Sequence, residues 1–210
     1  LIDSGDMLAN YIQSQEPCAV MDISMGAEAW RAARDSSYRR HLKSNRRRIR
    51  KAEEIGERRF AWCSVDENVY GQLIDWKREK FAESGKYDVL SAGWTRALLE
   101  ELWTREHSDG IRADMHCMYF GDTLAAVDLG LSDGSTFHSW MVAYNNDFHT
   151  LAPGIQLLEA LIDEAAALGY TRIDLGEGLD GYKRHYASED VNVHSGYVAA
   201  SGAAAAITRL

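Results

Sequence analysis

Four side chains that can accept a proton lie in or beside predicted strands of the second half of the chain. Asp128 is inside the apolar run AAVDLGL, His138 is inside TFHSWMV, and Asp174 and Glu177 end a third strand. A charged group in a buried strand is unfavourable unless it is paired. Counting back from the turn at Asp133-Gly134 places Asp128 opposite His138. The aspartate then either orients the imidazole as a general base or forms an internal salt bridge.

A turn before a predicted helix has the features of an anion site. The chain passes from a strand through this turn into a helix whose apolar residues recur at spacings of three and four, and Gly169 ends that helix. Pro153 suits a first helical turn, where free N–H groups and the helix dipole attract anions. We predict a phosphate-bearing cofactor here; the alternative is an ordinary structural helix, with His149 on the surface. The predicted site comprises His149, Thr150, Leu151, Ala152, Pro153, Gly154 and Ile155.

The segment GEGLDGYKRHY follows a predicted strand end, the place where open sheets bind ligands. Lys183 and Tyr186 are one helical turn apart in this segment and share a side of the helix. A lysine here neutralises a phosphate or a developing oxyanion, and a tyrosine donates a proton. Each has a structural alternative, which is a surface lysine or a tyrosine that packs the helix on the sheet. Glu177 is flanked by two glycines, which indicates close approach of the backbone to another group.

The elements that would position these residues alternate in type along the chain. A meander of three antiparallel strands, joined by Gly-Asp and Asp-Gly turns, passes into a parallel crossover through a helix. This order predicts an α/β (α+β) fold with a mixed, mostly antiparallel central sheet flanked by helices. The predicted strands are 59–65, 113–120, 124–131, 136–143, 172–175 and 191–198, and the predicted helices are 68–82, 94–106, 154–168 and 182–187.

The sequence suggests four units along the chain. Residues 1–25, with a helix end at 5–16 and a strand at 18–24, are interpreted as the tail of a preceding unit, which implies a partner domain on that side. Residues 26–57 form a basic helical segment, residues 58–200 form the main domain, and residues 201–210 form a tail.

Charge is distributed unevenly along the chain. The net charge is −9, but residues 31–51 contain ten Lys or Arg and one acid, Asp35, so this segment carries +9 and the remainder −18. The basic helix at 39–51 is either a solvated surface or a docking site for an anionic polymer or a tRNA. Asn45 falls on the apolar stripe of this helix, so we expect it to be hydrogen-bonded in the interior.

Composition argues against several classes of protein. No apolar run approaches the roughly 20 residues that a membrane span needs, and the N-terminus lacks the features of a signal peptide. Three widely spaced cysteines and scattered histidines match no metal-ligand spacing. We therefore expect a cytoplasmic protein that has no membrane span and no metal site.

Four pieces of sequence resemble one acyltransferase family. They are SYRRHLKSNRRRIRKAEEIG, FGDTLAAVDLGL, HSWMVAYNNDFHTLAPGIQLLEALIDEAAALGY and IDLGEGLDGYKRHYA, which extend with the intervening chain over about residues 37–198. Their order resembles the GNAT acyltransferase superfamily, in particular the CelD-like (BioF2-like) acetyltransferase branch related to the FemAB peptidyltransferases. The resemblance implies a GNAT-like fold that uses acetyl-CoA or another acyl-CoA as a co-substrate.

The resemblance also implies roles for individual residues. The backbone N–H groups near Ala152, Gly154 and Ile155 would face the pyrophosphate of CoA, and Tyr186 would occupy the position of the tyrosine that protonates the leaving thiolate. The pair Tyr182-Lys183 recurs at this place in the family. The placement of the candidate bases on the predicted strands, rather than the resemblance, suggests that Asp128/His138 or Glu177 activates the acceptor for direct attack.

The cofactor turn departs from the usual GNAT pattern, because only Gly154 matches among the six positions from His149 to Gly154. We predict transfer of an acetyl or acyl group to an amine or hydroxyl acceptor, with a sugar of an exported polysaccharide suggested by the family alone. Two alternatives stay open. One is a FemAB-like transferase that uses aminoacyl-tRNA at the basic helix, and the other is a non-catalytic GNAT-like module.

Overall fold

A computed structural model describes residues 11–104 and 110–196 of the chain. Strands and helices alternate along it in the order expected for a mixed fold. The strands are β1 (Ile12–Asp22), β2 (Arg58–Ala61), β3 (Arg112–Phe120), β4 (Thr123–Ser132), β5 (Thr136–Tyr144), β6 (Arg172–Glu177) and β7 (Glu189–Gly196). The helices are α1 (Ala27–Ala32), α2 (Ser36–Glu53), α3 (Glu67–Ser84), α4 (Gly93–Thr104), α5 (Pro153–Ala167) and α6 (Lys183–Tyr186).

Within the described residues the seven strands form one sheet in the order β2-β3-β4-β5-β6-β1-β7. All neighbouring strands are antiparallel except β5 and β6, which are parallel. The predicted mixed, mostly antiparallel sheet flanked by helices is therefore confirmed. The predicted tail at 201–210 and the first ten residues of the predicted 1–25 segment lie outside the described residues, as do the last residues of the helix predicted at 94–106 and of the strand predicted at 191–198.

The prediction of a helix end at 5–16 is wrong over residues 12–16, which belong to β1. Residues 12–16 of β1 are mostly polar and exposed, so no alternation of apolar and polar residues marks them as a strand. Backbone pairing with β7, from Ile12 opposite Gly196 to Val20 opposite Glu189, holds them in the sheet instead. β1 thus lies between β6 and β7, while the proposed division of the chain into units stays a prediction.

Helices cover both faces of the sheet, and each face has its own cluster of buried apolar side chains. On one face Leu73 of α3 and Leu99 of α4 pack with Met115 and Leu129 of the central strands. On the other face, Leu158, Leu161 and Ile162 of α5 belong to a cluster with residues of β5 and β6: Phe137, Ile173 and Leu175. Because both faces are buried and alternate side chains point to opposite faces, each strand residue packs against a defined layer of helices.

The register of β4 against β5 differs from the predicted one. The turn between them extends from Asp133 to Thr136, because the Asp133 carboxylate accepts hydrogen bonds from the backbone N–H groups of Ser135 (2.8 Å) and Thr136 (2.7 Å). This longer turn and an irregularity near Gly130 shift the pairing by several residues. Asp128 therefore lies opposite Val142, and the expected pairing of Asp128 with His138 is wrong.

An added side chain at Gly130 would clash with the neighbouring strand β5. A Cβ atom at Gly130 would lie 2.3 Å from the His138 carbonyl oxygen and 2.3 Å from the Phe137 ring, and the backbone oxygen cannot move aside without breaking the β4–β5 pairing. We expect Gly130→Ala to reduce the free energy of unfolding by about 2–3 kcal/mol. Urea denaturation checks this, and a loss below about 0.5 kcal/mol would contradict the packing described here.

Helix α2 buries the stripe that the sequence predicted. The Asp35 carboxylate caps its first turn by accepting the Tyr38 N–H (2.9 Å), and Tyr38, Asn45 and Ala52 are buried at intervals of seven residues. Asn45 is fully buried, but neither its amide oxygen nor its amide nitrogen has a hydrogen-bond partner in the described part of the chain. The expected burial of Asn45 is therefore observed, while the expected hydrogen bond is not made by any group of the described residues.

Candidate active site

Strands β5 and β6 pair over three residues only and then part. Residues Thr136 to His138 pair with Arg172 to Asp174, and beyond this point each strand continues without the other. A cavity of about 400 Å³ lies at the opening and reaches the start of α5. The lining residues are Asp128, Ser139, Val142, Tyr144, His149, Ala152, Pro153, Gly154, Ile155, Leu157, Leu158, Leu175 and Tyr182.

The start of α5 forms one end of this cavity, with Pro153 in the first helical turn as predicted. The Ala152 N–H donates to the His149 carbonyl (3.1 Å), and the Ile155 N–H donates to the Ala152 carbonyl (3.0 Å). Only the Gly154 N–H of these three amides has no protein acceptor among the described residues. The turn thus offers an anion one free amide and the helix dipole, fewer donors than the three that the resemblance implied.

The other residues of the predicted cofactor turn divide between surface and core. His149 lines the cavity, is exposed, and its Nδ1 atom lies 2.9 Å from the Asn146 carbonyl oxygen. Thr150 is exposed and does not line the cavity. Leu151 is buried in an apolar cluster with Ala52 of α2, so its side chain is unavailable to a cofactor.

Asp128 lies in the wall of the cavity and is only 3% exposed. Its Oδ2 atom accepts a hydrogen bond from the Ser139 hydroxyl at 2.6 Å, and its Oδ1 atom has no partner among the described residues. Burial raises the pKa of Asp128 to about 6, against the opposing effects of the Ser139 hydrogen bond and of the charges on His138 and Lys77. A carboxylate with such a pKa can accept a proton near neutral pH.

His138 points away from Asp128, to the opposite face of the sheet from Phe137. Its Nδ1 atom lies 3.0 Å from Asp174 Oδ2, which makes Asp174 its true carboxylate partner. Asp174 is in turn held by the Gly176 N–H (2.7 Å) and the Cys18 thiol (3.1 Å). This pair does not line the cavity, although 35% of the His138 side chain is exposed.

The hydrogen bond that His138 donates to the Asp174 carboxylate raises the pKa of His138 above its ordinary value, against the effect of burial. We expect Asp174→Asn to lower that pKa, because the amide cannot stabilise the imidazolium with a negative charge. An NMR titration of the imidazole signals measures the change. An unaltered His138 pKa in this variant would contradict the pairing.

Tyr186 does not occupy the cavity. It is fully buried between Trp30 and Tyr38, and its hydroxyl donates to Glu159 Oε1 at 2.8 Å. Burial and the charge of Glu159 raise its pKa far above the ordinary value. As placed, this tyrosine connects α6 to α5 in the core, which is the structural alternative weighed for it above.

Tyr182, one residue before α6, lines the cavity instead. Burial raises its pKa to about 12, and the charge of Asp128 adds to the effect. Its hydroxyl has no hydrogen-bond partner within the described residues. A phenol of this kind keeps its proton at neutral pH and can donate a hydrogen bond or a proton to a group in the cavity.

Lys183 and Glu177 lie beside the cavity rather than in its wall. The Lys183 ammonium donates to the Glu177 backbone carbonyl at 2.9 Å, and the Glu177 side chain is exposed. A Cβ atom at Gly176 would lie 3.7 Å from the His138 ring and 3.9 Å from the Lys183 ammonium, so the imidazole and the ammonium are close to each other. Of the residues predicted to act in catalysis, Asp128 alone lines the cavity.

The basic helix α2 contacts α5, α6 and the short 3₁₀ turn Asn146–Leu151 that precedes α5. Most of its cationic side chains are exposed: Arg39, Arg40, Lys43, Arg46, Arg47, Arg50 and Lys51. Positive charge therefore flanks the end of the cavity at which α5 begins.

Sequence reasoning missed two polar residues of the cavity. Side chains alternate between the two faces of a strand, so Ser139 lies on the opposite face from His138, which precedes it. With the correct length of the β4–β5 turn, this alternation would have placed Ser139 on the same face as Asp128. The resemblance included Tyr182, but it implied the role of proton donor for Tyr186.

The described residues bring together no group of three or more His, Cys, Asp or Glu that could hold a metal ion. Within residues 11–104 and 110–196, none of the helices combines the length and apolar character that a membrane crossing requires.

Comparisons with known proteins agree with this architecture. No curated protein matches the sequence. A conserved protein of unknown function from Bacteroides thetaiotaomicron VPI-5482 has a similar structure, with a TM-score of 0.55, 11% identity, and coverage of 89% of this chain and 62% of that one. FemX is also similar, with a TM-score of 0.55, 12% identity, and coverage of 85% and 56%. At these identities the likeness supports the fold alone, and the chain spans less than two thirds of either structure.

A family model supplies the assignment that the distant structures cannot. The model of the acetyltransferase (GNAT) domain matches residues 37–184, from the start of α2 to α6. This region contains the parted strands β5 and β6, the turn before α5 and every residue that lines the cavity. The match covers well over half of the chain and confirms the predicted membership in the GNAT superfamily. The chain belongs to the acetyltransferase (GNAT) domain family.

Proposed function

We propose that this domain transfers an acetyl or other acyl group from a CoA thioester to an amine or a hydroxyl group. One observation carries the proposal. The cavity between β5 and β6 is lined by the start of α5 with the free Gly154 amide, by apolar side chains, and by a carboxylate and a phenol, Asp128 and Tyr182. A phosphate-bearing thioester with an apolar arm and a reactive carbonyl has a group suited to each of these surroundings.

The wall of the cavity suits the donor in two ways. Val142, Leu158 and Leu175 provide apolar surface for the pantetheine arm and the acyl chain. The Gly154 amide and the dipole of α5 attract the phosphates, and the cations of α2 increase the local positive potential. A bound thioester supplies an activated carbonyl and a thiolate leaving group.

Asp128 and Tyr182 have complementary protonation states for this reaction. Above pH about 6 the Asp128 side chain is a carboxylate, which takes the proton of the attacking group. Tyr182, with a pKa of about 12, holds its proton and passes it to the departing thiolate. The acyl C–S bond breaks as the bond from the attacking nitrogen or oxygen to the carbonyl carbon forms, and one proton moves at each end.

The acceptor and the setting of the reaction are part of the same proposal. The acceptor is an amine or a saccharide hydroxyl, as in the CelD-like branch that the sequence resembles. The reaction takes place in the cytoplasm, where acyl-CoA is available as donor.

A FemAB-like transfer from aminoacyl-tRNA is the second candidate, and one specific observation favours it. Helix α2, which carries seven exposed cations, contacts the 3₁₀ turn before α5, whereas the turn itself offers only one free amide to a pyrophosphate. A polyanion such as tRNA would draw its binding energy from that helix and would bind with a steep salt dependence.

Titration calorimetry with acetyl-CoA tests the donor. We expect micromolar binding, weaker binding of CoA because the acyl group is missing, and no binding of ATP at the same concentration. If acetyl-CoA does not bind at millimolar concentration, the acyl-CoA proposal fails. Salt-dependent tRNA binding that is lost in an Arg46→Gln, Arg47→Gln, Arg50→Gln variant would then support the FemAB-like alternative, and absence of both would support a non-catalytic module.

A further inference from the structure

Helix α2 presents all its exposed cations on one side. At 3.6 residues per turn they fall within an arc of about 140° around the helix axis, directly opposite the buried residues Tyr38, Asn45 and Ala52. No acidic or aromatic residue of the helix falls within this arc. The cationic face of α2, as we call it, consists of seven side chains: Arg39, Arg40, Lys43, Arg46, Arg47, Arg50 and Lys51.

The charge of the cationic face is not neutralised within the described part of the chain. None of its seven side chains forms an ion pair with a carboxylate of the described residues. Lys43, Arg47 and Lys51 follow one another at intervals of four residues, and like charges at this spacing destabilise a helix. An anionic surface outside the domain would compensate this repulsion.

From this arrangement we infer that the cationic face docks the domain on a membrane surface rich in acidic phospholipids, whose headgroup phosphates are the anions that it meets. The inference goes beyond the proposed function and does not depend on which donor the cavity binds. Clusters of about four to eight Lys or Arg on an amphipathic helix are typical of proteins that bind such lipids. Docking of this kind is peripheral and needs no membrane-crossing segment.

The shape of the cationic face suits a plane of negative charge. A helix is about 10–12 Å across with its side chains, so its outward half is about 5–6 Å deep. This depth is less than the Debye length of about 8 Å at physiological ionic strength, so all seven cations act on the surface together. The opposite side of α2 packs against α5, α6 and the 3₁₀ turn before α5, so charge makes the contact and no apolar side chain inserts.

Charge in the rest of the chain determines the orientation of the docked domain. Residues 31–51 carry +9 and the remainder carries −18, so acidic lipids repel the body of the domain. Acids further than a Debye length from the surface are largely screened, whereas the cations in contact with it are not. The domain therefore binds only with α2 turned towards the lipid.

A nucleic acid fits the cationic face less well than a lipid surface does. Bases are recognised by stacking on aromatic side chains and by hydrogen bonds to polar ones. Tyr38 and Asn45, the tyrosine and the amide of α2, are buried, and His41 stacks on His185 with 5.2 Å between the ring centroids. The face thus offers point charges without a group that reads bases, which is sufficient for a field of lipid phosphates.

Cosedimentation with sucrose-loaded vesicles at neutral pH and about 0.1 M NaCl tests the inference. We expect the protein to sediment with vesicles that contain about one quarter phosphatidylglycerol in phosphatidylcholine, and to stay in solution with phosphatidylcholine alone. Binding should disappear in about 1 M NaCl, where the Debye length falls from about 10 Å to about 3 Å.

Two triple variants of the cationic face separate charge from side-chain shape. Arg46→Gln, Arg47→Gln, Arg50→Gln should weaken binding to the anionic vesicles about 100-fold, because each cation at an anionic surface contributes about fivefold. Arg46→Lys, Arg47→Lys, Arg50→Lys should bind within about twofold of the unchanged protein, because a diffuse field requires the charge and not the guanidinium fork.

Lys80→Gln, Lys86→Gln, Arg96→Gln is the matched control. It removes three exposed cations and changes the net charge by the same amount. These cations lie in α3, in α4 and between the two helices, on the face of the sheet opposite to α5. This variant should sediment with the anionic vesicles like the unchanged protein.

The opposite outcomes are equally clear. Equal sedimentation with both kinds of vesicle, or binding to anionic vesicles that persists in the glutamine variant of α2, would overturn the inference. A gel shift with tRNA tests the competing ligand, and tRNA binding without vesicle binding would overturn the inference and support the aminoacyl-tRNA candidate. Calorimetry with acetyl-CoA on the same samples is an independent readout, because a failure there counts against the proposed function and not against membrane docking.

Discussion

Replacing Asp128 with Asn is expected to lower the rate of acyl transfer by at least about 100-fold and, at the same time, to stabilise the folded chain at neutral pH. The first effect follows from the loss of the group that takes the proton of the nucleophile. The second follows from burial, since the fold raises the pKa of Asp128 to about 6 and therefore disfavours its charged form.

The sign of the stability effect depends on pH. The raised pKa means that the folded chain binds the Asp128 proton more tightly than the unfolded chain, so ionisation destabilises the fold above pH about 6. Asp128→Asn removes this penalty. We expect the free energy of unfolding to rise by about 2 kcal/mol at pH 8, and the gain to shrink towards zero at pH 4, where the carboxyl of the folded protein is neutral.

Urea denaturation at the two pH values measures the stability change, and release of CoA thiol from acetyl-CoA in the presence of a mixture of amines and sugars measures transfer. Asn retains the acceptor for the Ser139 hydroxyl, so the hydrogen bond in the cavity wall is kept. A variant that is less stable at pH 8 would contradict the description of Asp128 as a buried, poorly compensated carboxylate.

Tyr182→Phe and Tyr186→Phe are expected to have opposite consequences. Tyr182→Phe should reduce the maximal transfer rate by about 10- to 100-fold with little loss of stability, because the phenol donates in the cavity and has no protein partner. Tyr186→Phe should leave the rate nearly unchanged but lower the free energy of unfolding by about 2 kcal/mol, because it removes a buried hydrogen bond to the charged Glu159.

Each variant thus serves as the control for the other, because each removes one phenolic oxygen and the two tyrosines are only four residues apart in the sequence. Thiol release and thermal unfolding of both variants give the comparison. The reverse result, with activity lost at Tyr186 and stability lost at Tyr182, would restore the role that the resemblance suggested and refute the one that the structure supports.

Sequence patterns were sufficient for the order of the elements but not for the alignment of neighbouring strands. Apolar periodicity predicted α5 to within about a residue at each end, and the Gly-Asp and Asp-Gly turns marked the meander correctly. The β4–β5 register depended on Asp133, whose side chain closes a longer turn than an Asp-Gly pair suggests. One such difference moves every cross-strand partner of β4 and β5, so Asp128 lies opposite Val142 and not opposite His138. The parallel pairing of β5 with β6 places His138 opposite Asp174.

Only part of the candidate site could be predicted from the sequence, for a similar reason. The turn before α5 could be found from its proline and glycine, but whether each amide is free depends on local hydrogen bonds, such as the one from Ala152 to His149. Asp128 was conspicuous as a charge in an apolar strand. Ser139 and Tyr182 became visible only once the parting of β5 and β6 was known, because nothing in their own sequence context distinguishes them from core or surface residues.

The claim that an acyl thioester binds in this cavity is tested most directly by comparing Gly154→Asp with Gly154→Asn in calorimetric titrations with acetyl-CoA. A side chain at Gly154 would meet only ordinary contacts, 3.7 Å from Val142 and 4.0 Å from Tyr144, so both variants should fold. The two side chains have nearly the same shape and differ in charge, and Asp at a helix start is favourable for the helix itself.

We predict that Gly154→Asp weakens acetyl-CoA binding at least about 10-fold more than Gly154→Asn does, because only the carboxylate repels the phosphates. Equal affinities in the two variants, or affinities equal to that of the unchanged protein, would place the donor elsewhere and contradict the assignment of this cavity.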